Sequence, residues 1–269
     1  MSTAAVPLRA HLRDPGEVAL GLGAERALVL SGLSDAETRA VIGLGPMTAR
    51  QWGSAHLVRP PSTRWPDVVR LLGDAASRLT GRDAVSGSVT VAGVGSVPDA
   101  IRDVLTAMGA QADPDHTTLA VLIAAEHVPA RAAERWRRDG VPHLPVVLGA
   151  GRAVIGPLIR PGIGPCLGCL DHHRAVRDPG WAAIAAGGPW DDVAAIGVDA
   201  PGVLGMLGPV SAPADLRAVV SGLVGLVARG HLSGQPLPVG VSVTVTTPSP
   251  RVQHRLWRAH PRCCPDADG

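Results

Sequence analysis

All four cysteines of this 269-residue chain fall in two short segments, and that distribution constrains the fold more than any other feature. Cys166-Leu167-Gly168-Cys169 follows Gly164-Pro165, and the adjacent pair Cys263-Cys264 follows His260-Pro261-Arg262 near the far end. Two thiolates separated by two residues can turn back onto one ion at about 2.3 Å each, and a second pair completes the tetrahedron that zinc prefers. Gly164, Pro165 and Gly168 supply the tight, donor-poor backbone of such a knuckle. The second pair is adjacent rather than spaced, so His260 stands as a substitute for one of its thiolates. The pattern predicts a structural zinc held by Cys166, Cys169, Cys263 and Cys264, tying the C-terminal tail to the middle of the chain. The competing reading is a set of buried or disulfide-forming cysteines. Four thiolates leave no open position for water, which argues against a catalytic zinc.

Composition narrows the functional classes. The chain has no Phe, no Tyr and no Lys, so all 25 basic residues are Arg and the core must come from Leu, Val, Ile, Ala and six Trp. No ammonium side chain is present for phosphate binding or Schiff-base chemistry. A net charge of +2 gives no large field for nucleic acid or an anionic membrane, so neither is expected as a partner. Residues 1–10 lack a long apolar run, and the most apolar helical stretch, residues 216–227, is short and has Arg217 and Arg229 near its ends. A cytoplasmic, reducing location is expected, which favours metal over disulfide.

Residues 7–13, 17–22 and 26–30 read as short strands of an antiparallel meander, with Asp14-Pro15-Gly16 as a turn. Ser34-Asp35-Ala36-Glu37 matches a capping box and predicts a helix to residue 44, stopped by Gly45-Pro46. A second helix is expected over residues 65–79 from apolar positions at helical spacing. Strands with helices in so short a span suggest a winged-helix module over residues 1–85. Its ten Arg against eight acidic residues are scattered. That balance argues against the alternative of a DNA-binding regulator and leaves peptide capture beside an edge strand, or plain packing.

A Gly/Ser/Asp-rich linker (80–88) leads to a strand, Val89-Thr90-Val91-Ala92, that breaks into Gly93-Val94-Gly95, followed by a helix over residues 98–108. Strand, glycine turn and helix open a nucleotide-type fold, in which helix N–H groups receive a phosphate. Pro98 stands where a third glycine belongs, so Gly93, Gly95 and, after the next strand, Glu126 are read as a vestigial nucleotide site. A short strand at 110–112, a buried strand at 118–125, a helix at 129–138 and a strand at 143–148 predict an α/β domain with a mostly parallel sheet. Residues 152–159 form a hairpin arm delivering the cysteines, and residues 178–200 an irregular crossover. A core helix is expected over 212–229, and paired strands over 240–246 and 252–257. His143 reads as a strand-end residue with a satisfied ring.

Residues 87–264 resemble the ubiquitin-activating-like (ThiF/MoeB type) adenylyltransferase superfamily. More closely, they resemble the ocin-ThiF-like, cyclodehydratase-associated proteins that bind leader peptides in thiazole/oxazole-modified peptide biosynthesis (a RiPP pathway). The carrying residues are Val141-Pro142-His143-Leu144-Pro145-Val146-Val147, Gly156-Pro157-Leu158, Pro165-Cys166-Leu167-Gly168-Cys169-Leu170-Asp171, His173-Arg174, Arg177-Asp178-Pro179-Gly180-Trp181 and Trp257-Arg258-Ala259-His260-Pro261-Arg262-Cys263. The resemblance implies a Rossmann-like domain (86–269) behind an N-terminal winged helix that captures a precursor's leader peptide. It also implies a YcaO-type cyclodehydratase as enzyme partner, and a homodimer is a further possibility. Working members bind ATP through the glycine turn, an arginine, a lysine and aspartates, and form an acyl-adenylate. Here the third glycine and the lysine are missing, and Glu126 is the lone acid after the central strand. A non-catalytic scaffold is therefore expected, with an active adenylyltransferase as the alternative. Arg160, His172, His173, Arg174 and Trp181 are the candidates for a partner-docking face.

Overall fold

The computed structural model describes residues 7–21, 27–52, 60–80, 85–113, 115–181, 183 and 207–264. The chain forms two compact units, Met1–Asp83 and Ala84–Gly269.

In the N-terminal unit, strands β1 (Ala10–Asp14), β2 (Glu17–Leu20) and β3 (Leu28–Leu30) pair antiparallel in that order. Gly16 turns β1 into β2 at φ +76°, where a Cβ would stand 2.8 Å from the Leu33 carbonyl oxygen, so only glycine fits. Helix α1 (Asp35–Gly43) starts at the expected capping box: Ser34 Oγ accepts the Glu37 N–H at 3.3 Å, and Glu37 Oε2 accepts the Ser34 N–H at 2.8 Å. A one-turn helix α2 (Ala49–Trp52), too short for periodicity to announce, precedes α3 (Trp65–Thr80). Val18 and Leu20 of β2 meet Val41, Trp52, Val69, Leu72 and Ala76 in one core.

Glu37 does more than cap. Its carboxylate is buried at the end of α1 and also accepts from the Ser62 hydroxyl and from Arg64 Nη2 at 3.2 Å. It thereby pins residues 60–64, the approach to α3, onto α1.

In the C-terminal unit a six-stranded sheet runs β4 (Val89–Ala92), β5 (Leu119–Ala125), β6 (His143–Gly149), β7 (Arg152–Ile155), β8 (Val241–Thr246), β9 (Arg251–Leu256). The order is sequential, and the sheet is mixed rather than mostly parallel. Pairs β4–β5 and β5–β6 are parallel; β6–β7, β7–β8 and β8–β9 are antiparallel. The change follows from connection length: a two-residue link at Ala150-Gly151 can make only a hairpin, whereas parallel neighbours need a crossover helix. Strands β5 and β6 are buried on both faces over six residues each, as expected of central strands.

Helices α4 (Ser96–Ala107) and α7 (Ala214–Leu232) cover one face, with Ile101, Leu105, Val220 and Val224 packing on Val121, Ile123 and Val146. The other face carries a 3₁₀ turn (Ala130–Ala133), α5 (Glu134–Arg138) and α6 (Leu167–Arg177), with Trp136, Leu170 and Trp257 over Leu122 and Val147. The result is three layers around one sheet.

Two other expectations change. Residues 110–112 make only an isolated bridge, Ser88 to Gln111, because Asp113 folds the chain at once by accepting the Asp115 and His116 N–H groups. The expected tight cysteine knuckle is the start of a helix: Cys166 is the N-cap of α6, and Cys169 lies in its first turn. The irregular crossover expected over 178–200 falls, beyond its first few residues, outside the described residues.

Hydrogen bonds from Ser62, the Ser34 N–H and the Ser34 hydroxyl, helped by Arg64, hold the Glu37 carboxyl down to about 2, from an ordinary 4.5. A depressed folded-state value gives stability that is present above about pH 4.5 and lost as pH falls towards 2. Glu37→Gln should therefore lower the Tm at pH 7, and the gap to the parent chain should shrink steadily as pH falls from about 4.5 towards 2. A gap of equal size across that range, measured by circular dichroism, would contradict the role given to Glu37.

Candidate metal centre

The cysteines converge because three connections bring them there. Strand β7 leads into Ile159, whose bridge to His143 at the start of β6 fixes the approach. Gly164 turns at φ +70° against Val239. Cys166 then sits at the N-cap of α6, so Cys169 lies one turn along the same helix, fully buried. From the other side, Trp257 follows β9, and its indole N–H donates to the Ser242 hydroxyl at 2.9 Å, directing the tail back over α6. A turn at His260, whose carbonyl accepts the Cys263 and Cys264 N–H groups at 2.8 and 2.9 Å, aims the last two thiols inward.

The four sulfur atoms lie within 4.8 Å of one another. Cys166 Sγ is 3.3 Å from Cys263, 3.6 Å from Cys264 and 3.8 Å from Cys169, and Cys263 is 3.9 Å from Cys264. These are not disulfides, which need about 2.05 Å. A tetrahedron with metal–sulfur bonds of about 2.3 Å has sulfur–sulfur edges of about 3.8 Å. The donor set thus has the size, geometry and softness to hold one metal ion. Backbone supports it: the His260 N–H donates to Cys169 Sγ at 3.2 Å. A Cβ on Gly168 would stand 2.9 Å from Cys263 Sγ and would have to displace that thiol from the cluster.

Electrostatics point the same way. Burial pushes the Cys264 thiol up to about 12 and lifts Cys263 further, and their hydrogen bonds to neighbouring sulfurs add to the rise. Burial also pushes Cys166 upward, but the Cys169 N–H and the Cys263 and Cys264 thiols donate to it and bring it below the usual thiol range. The protein alone stabilises a thiolate at Cys166 and opposes more negative charge around it. A dication supplies what four thiolates need.

His260 is turned away from the sulfurs. Its Nδ1 accepts the Arg262 N–H at 3.2 Å, and its ring stacks on His172 at 4.7 Å and meets His173 edge-on at 5.1 Å. His173 Nε2 donates to the Arg258 carbonyl at 2.9 Å. Arg174 lies over the Trp181 and Trp257 rings at 4.9 and 5.6 Å. His173, Arg174 and Trp181 therefore staple α6 to its surroundings within the chain rather than facing outward. Their hub is Asp171, whose Oδ1 accepts from His127, Arg174 and Trp181 at 3.0–3.1 Å. Burial pushes the Asp171 carboxyl up, but the His127 and Arg174 contacts outweigh it and hold it below the usual range. Sequence reasoning named the helix residues and missed this hub, because nothing local marks His127 as its partner.

Arg160 lines a cavity of about 610 Å³ beside the cysteines, and its Nη2 donates to the Leu237 carbonyl at 3.1 Å. The His143 ring is buried and its Nδ1 donates to the Val141 carbonyl at 3.1 Å, as a satisfied strand-end histidine should.

The glycine turn is taken up by the chain itself. Val210 donates to the Val94 carbonyl at 2.8 Å, and its own carbonyl accepts the Val97 N–H at 3.3 Å, at the start of α4 where a phosphate would sit. A Cβ on Gly95 would stand 2.5 Å from that carbonyl oxygen. Pro98 has no N–H, and Arg102 is committed to the Val91 and Gly93 carbonyls at 3.2 and 2.7 Å. Of the amides that bind anions at a helix start, Val97 and Pro98 offer nothing. Glu126 lies apart, at φ 61° and folded over Gly149, lining a separate cavity of about 300 Å³.

No family model matches the sequence, and no curated protein matches it. Solved structures share the fold. The chain is similar to the heterocyclase TruD (TM-score 0.57, 16% identity, 95% of this chain and 41% of that one). It is similar to a heterocyclase in complex with substrate and cofactor (TM-score 0.56, 13% identity, 97% and 39%). It is also similar to E. coli MccB with succinimide (TM-score 0.51, 11% identity, 96% and 97%). The chain spans about two fifths of the length of the two heterocyclases.

Gly168→Ala should weaken metal retention by about 1–3 kcal/mol, the usual cost of overpacking, read as earlier loss of metal to a chelator. Unchanged retention would mean that the first turn of α6 does not need to pass so close to Cys263.

Proposed function

We propose that the chain is a non-catalytic, zinc-stapled scaffold that binds the leader of a ribosomal precursor peptide and presents it to a separate YcaO-type cyclodehydratase. Residues 1–85 act as the winged-helix, peptide-recognising domain. Residues 86–269 act as a degenerate ThiF-like domain, in which Cys166, Cys169, Cys263 and Cys264 hold structural Zn²⁺.

One observation carries the peptide half. Strand β3 is an edge, bonded only to β2 among the described strands, and α3 runs beside it. Between them lies a groove of about 190 Å³ lined by Leu28, Val29, Leu30, Leu71, Leu72 and Ala75. Val29 and Leu71 are 40% and 43% exposed, an apolar surface next to open backbone donors and acceptors. An extended peptide adds to such an edge through its main chain and seats alternate side chains in the groove.

The scaffold half rests on the chemistry of the second unit. The Val97 amide is given to Val210, the lysine is missing, and all four thiols belong to one cluster, so neither acyl-adenylate nor thioester chemistry has its groups. The fold likeness to heterocyclases and to MccB, both studied with bound ligands, supports a place in peptide modification. Zinc contributes folding energy at a closed tetrathiolate site and supplies no reactive position.

Titration calorimetry of the full chain with a cognate precursor peptide should show binding, and Leu71→Asp should weaken it roughly tenfold, about 1.4 kcal/mol. No pyrophosphate exchange from ATP is expected with that peptide. Absence of heat with the chain, alongside direct binding by the enzyme partner, would sink the recognition role.

A further inference from the structure

The last strand of the C-terminal unit is an open edge with two unlike faces. β9 pairs with β8 alone among the described strands. Its register sets Arg251, Gln253 and Arg255 opposite Thr246, Thr244 and Ser242, on the face that carries α6. Val252, His254 and Leu256 lie opposite Val245, Val243 and Val241, on the other face. Val252 and Leu256 are 59% and 60% exposed.

The first face is cationic, and apart from Arg174, which pairs with Asp171 at 3.1 Å, its arginines have no counterion among the described residues. Arg152 on β7 lies on it by strand alternation, and Arg174 and Arg177 project from α6. Among the described residues Arg152, Arg177, Arg251 and Arg255 form no ion pair; Arg255 instead lies over the Trp257 ring at 3.7 Å. Burial, then Arg177 and Arg174, pull the Arg255 guanidinium below its ordinary value, as expected of cations crowded without an anion.

We infer that β9 is a docking edge for an acidic, extended segment of a partner protein, which adds as a seventh strand. Strand addition satisfies the edge's free backbone groups, and alternation sorts the incoming side chains between the two faces. Acidic residues four apart meet Arg251 and Arg255, and apolar residues four apart meet Val252 and Leu256. The partner motif is then two apolar–acidic dyads separated by two residues, in either strand direction. A second copy of this chain is a poor occupant. In a symmetric antiparallel pairing centred on Gln253, Arg251 of one copy faces Arg255 of the other, and like charges directly opposite destabilise a sheet. Nucleic acid would satisfy the arginines but neither the backbone edge nor the apolar face. This edge lies outside the leader-binding groove, and the inference stands whether or not that groove binds a leader.

The probe is a fluorescent synthetic peptide containing Val-Glu-Thr-Thr-Val-Glu, titrated with the full chain. Saturable binding that weakens with salt is expected, together with a roughly tenfold loss for Arg251→Glu and for a peptide with both Glu replaced by Lys. Arg251 is exposed and its substitution should leave the Tm unchanged; Arg152→Glu is the second variant, to be read if the first fails to fold. N-methylation of alternate peptide amides should abolish binding, which a purely electrostatic contact would not require. Equal binding of the N-methylated or Lys-containing peptide, tighter binding of a DNA oligonucleotide, or a chain dimer dispersed by Arg251→Glu would each overturn the proposal.

Discussion

Four sulfur atoms within 4.8 Å of one another are the constraint on which the C-terminal unit depends. Cys166 and Cys169 are delivered by the sheet through β7, and Cys263 and Cys264 by the tail after β9. Closing a loop of this length carries an entropic cost that grows only slowly with its size, so one strong cross-link can hold the whole intervening segment. As bare thiols the cluster is unfavourable, with Cys263 and Cys264 pushed far up by burial and by their neighbours. A dication held there would turn that conflict into a strong local attraction.

Helix α6 carries a second set of contacts beside that cluster. Asp171 is two residues past Cys169, where it gathers His127, Arg174 and Trp181. Arg174 and Arg255 both reach the Trp257 ring, which anchors the tail through Ser242. The cysteine cluster and this polar and aromatic hub join the same elements, one through four converging sulfur atoms, the other through hydrogen bonds and ring contacts. In the same unit the glycine turn at Gly93–Gly95 is closed by a bridge from Val94 to Pro209, and Val210 takes the Val97 N–H at the start of α4.

Much of this was legible in the sequence, for identifiable reasons. The capping box at Ser34 and Glu37 is a local device, and it appears where the residues place it. The apolar runs of β5 and β6 could only be buried strands. The cysteine spacing singled out four residues that the fold brings together. What stayed hidden depends on contacts distant in sequence. The parallel-to-antiparallel change lies in a short link, not in strand composition; α6 opens on Cys166 without a conventional cap; and the value of His173, Arg174 and Trp181 comes from Asp171 and the returning tail. Residues that looked ready for a partner proved to be occupied at home, while the open edge of β9 read simply as a strand.

The central claim is that the four thiolates share one metal ion, and cobalt substitution tests it most directly. Replacing the native metal with Co²⁺ in the full chain should give one ion per chain, with intense visible absorption of a tetrahedral site and strong sulfur-to-cobalt charge transfer in the near ultraviolet, scaled to four thiolates. A protein that takes up no cobalt while all four thiols react with a thiol reagent, or whose spectrum indicates fewer than four sulfur ligands, would contradict the account.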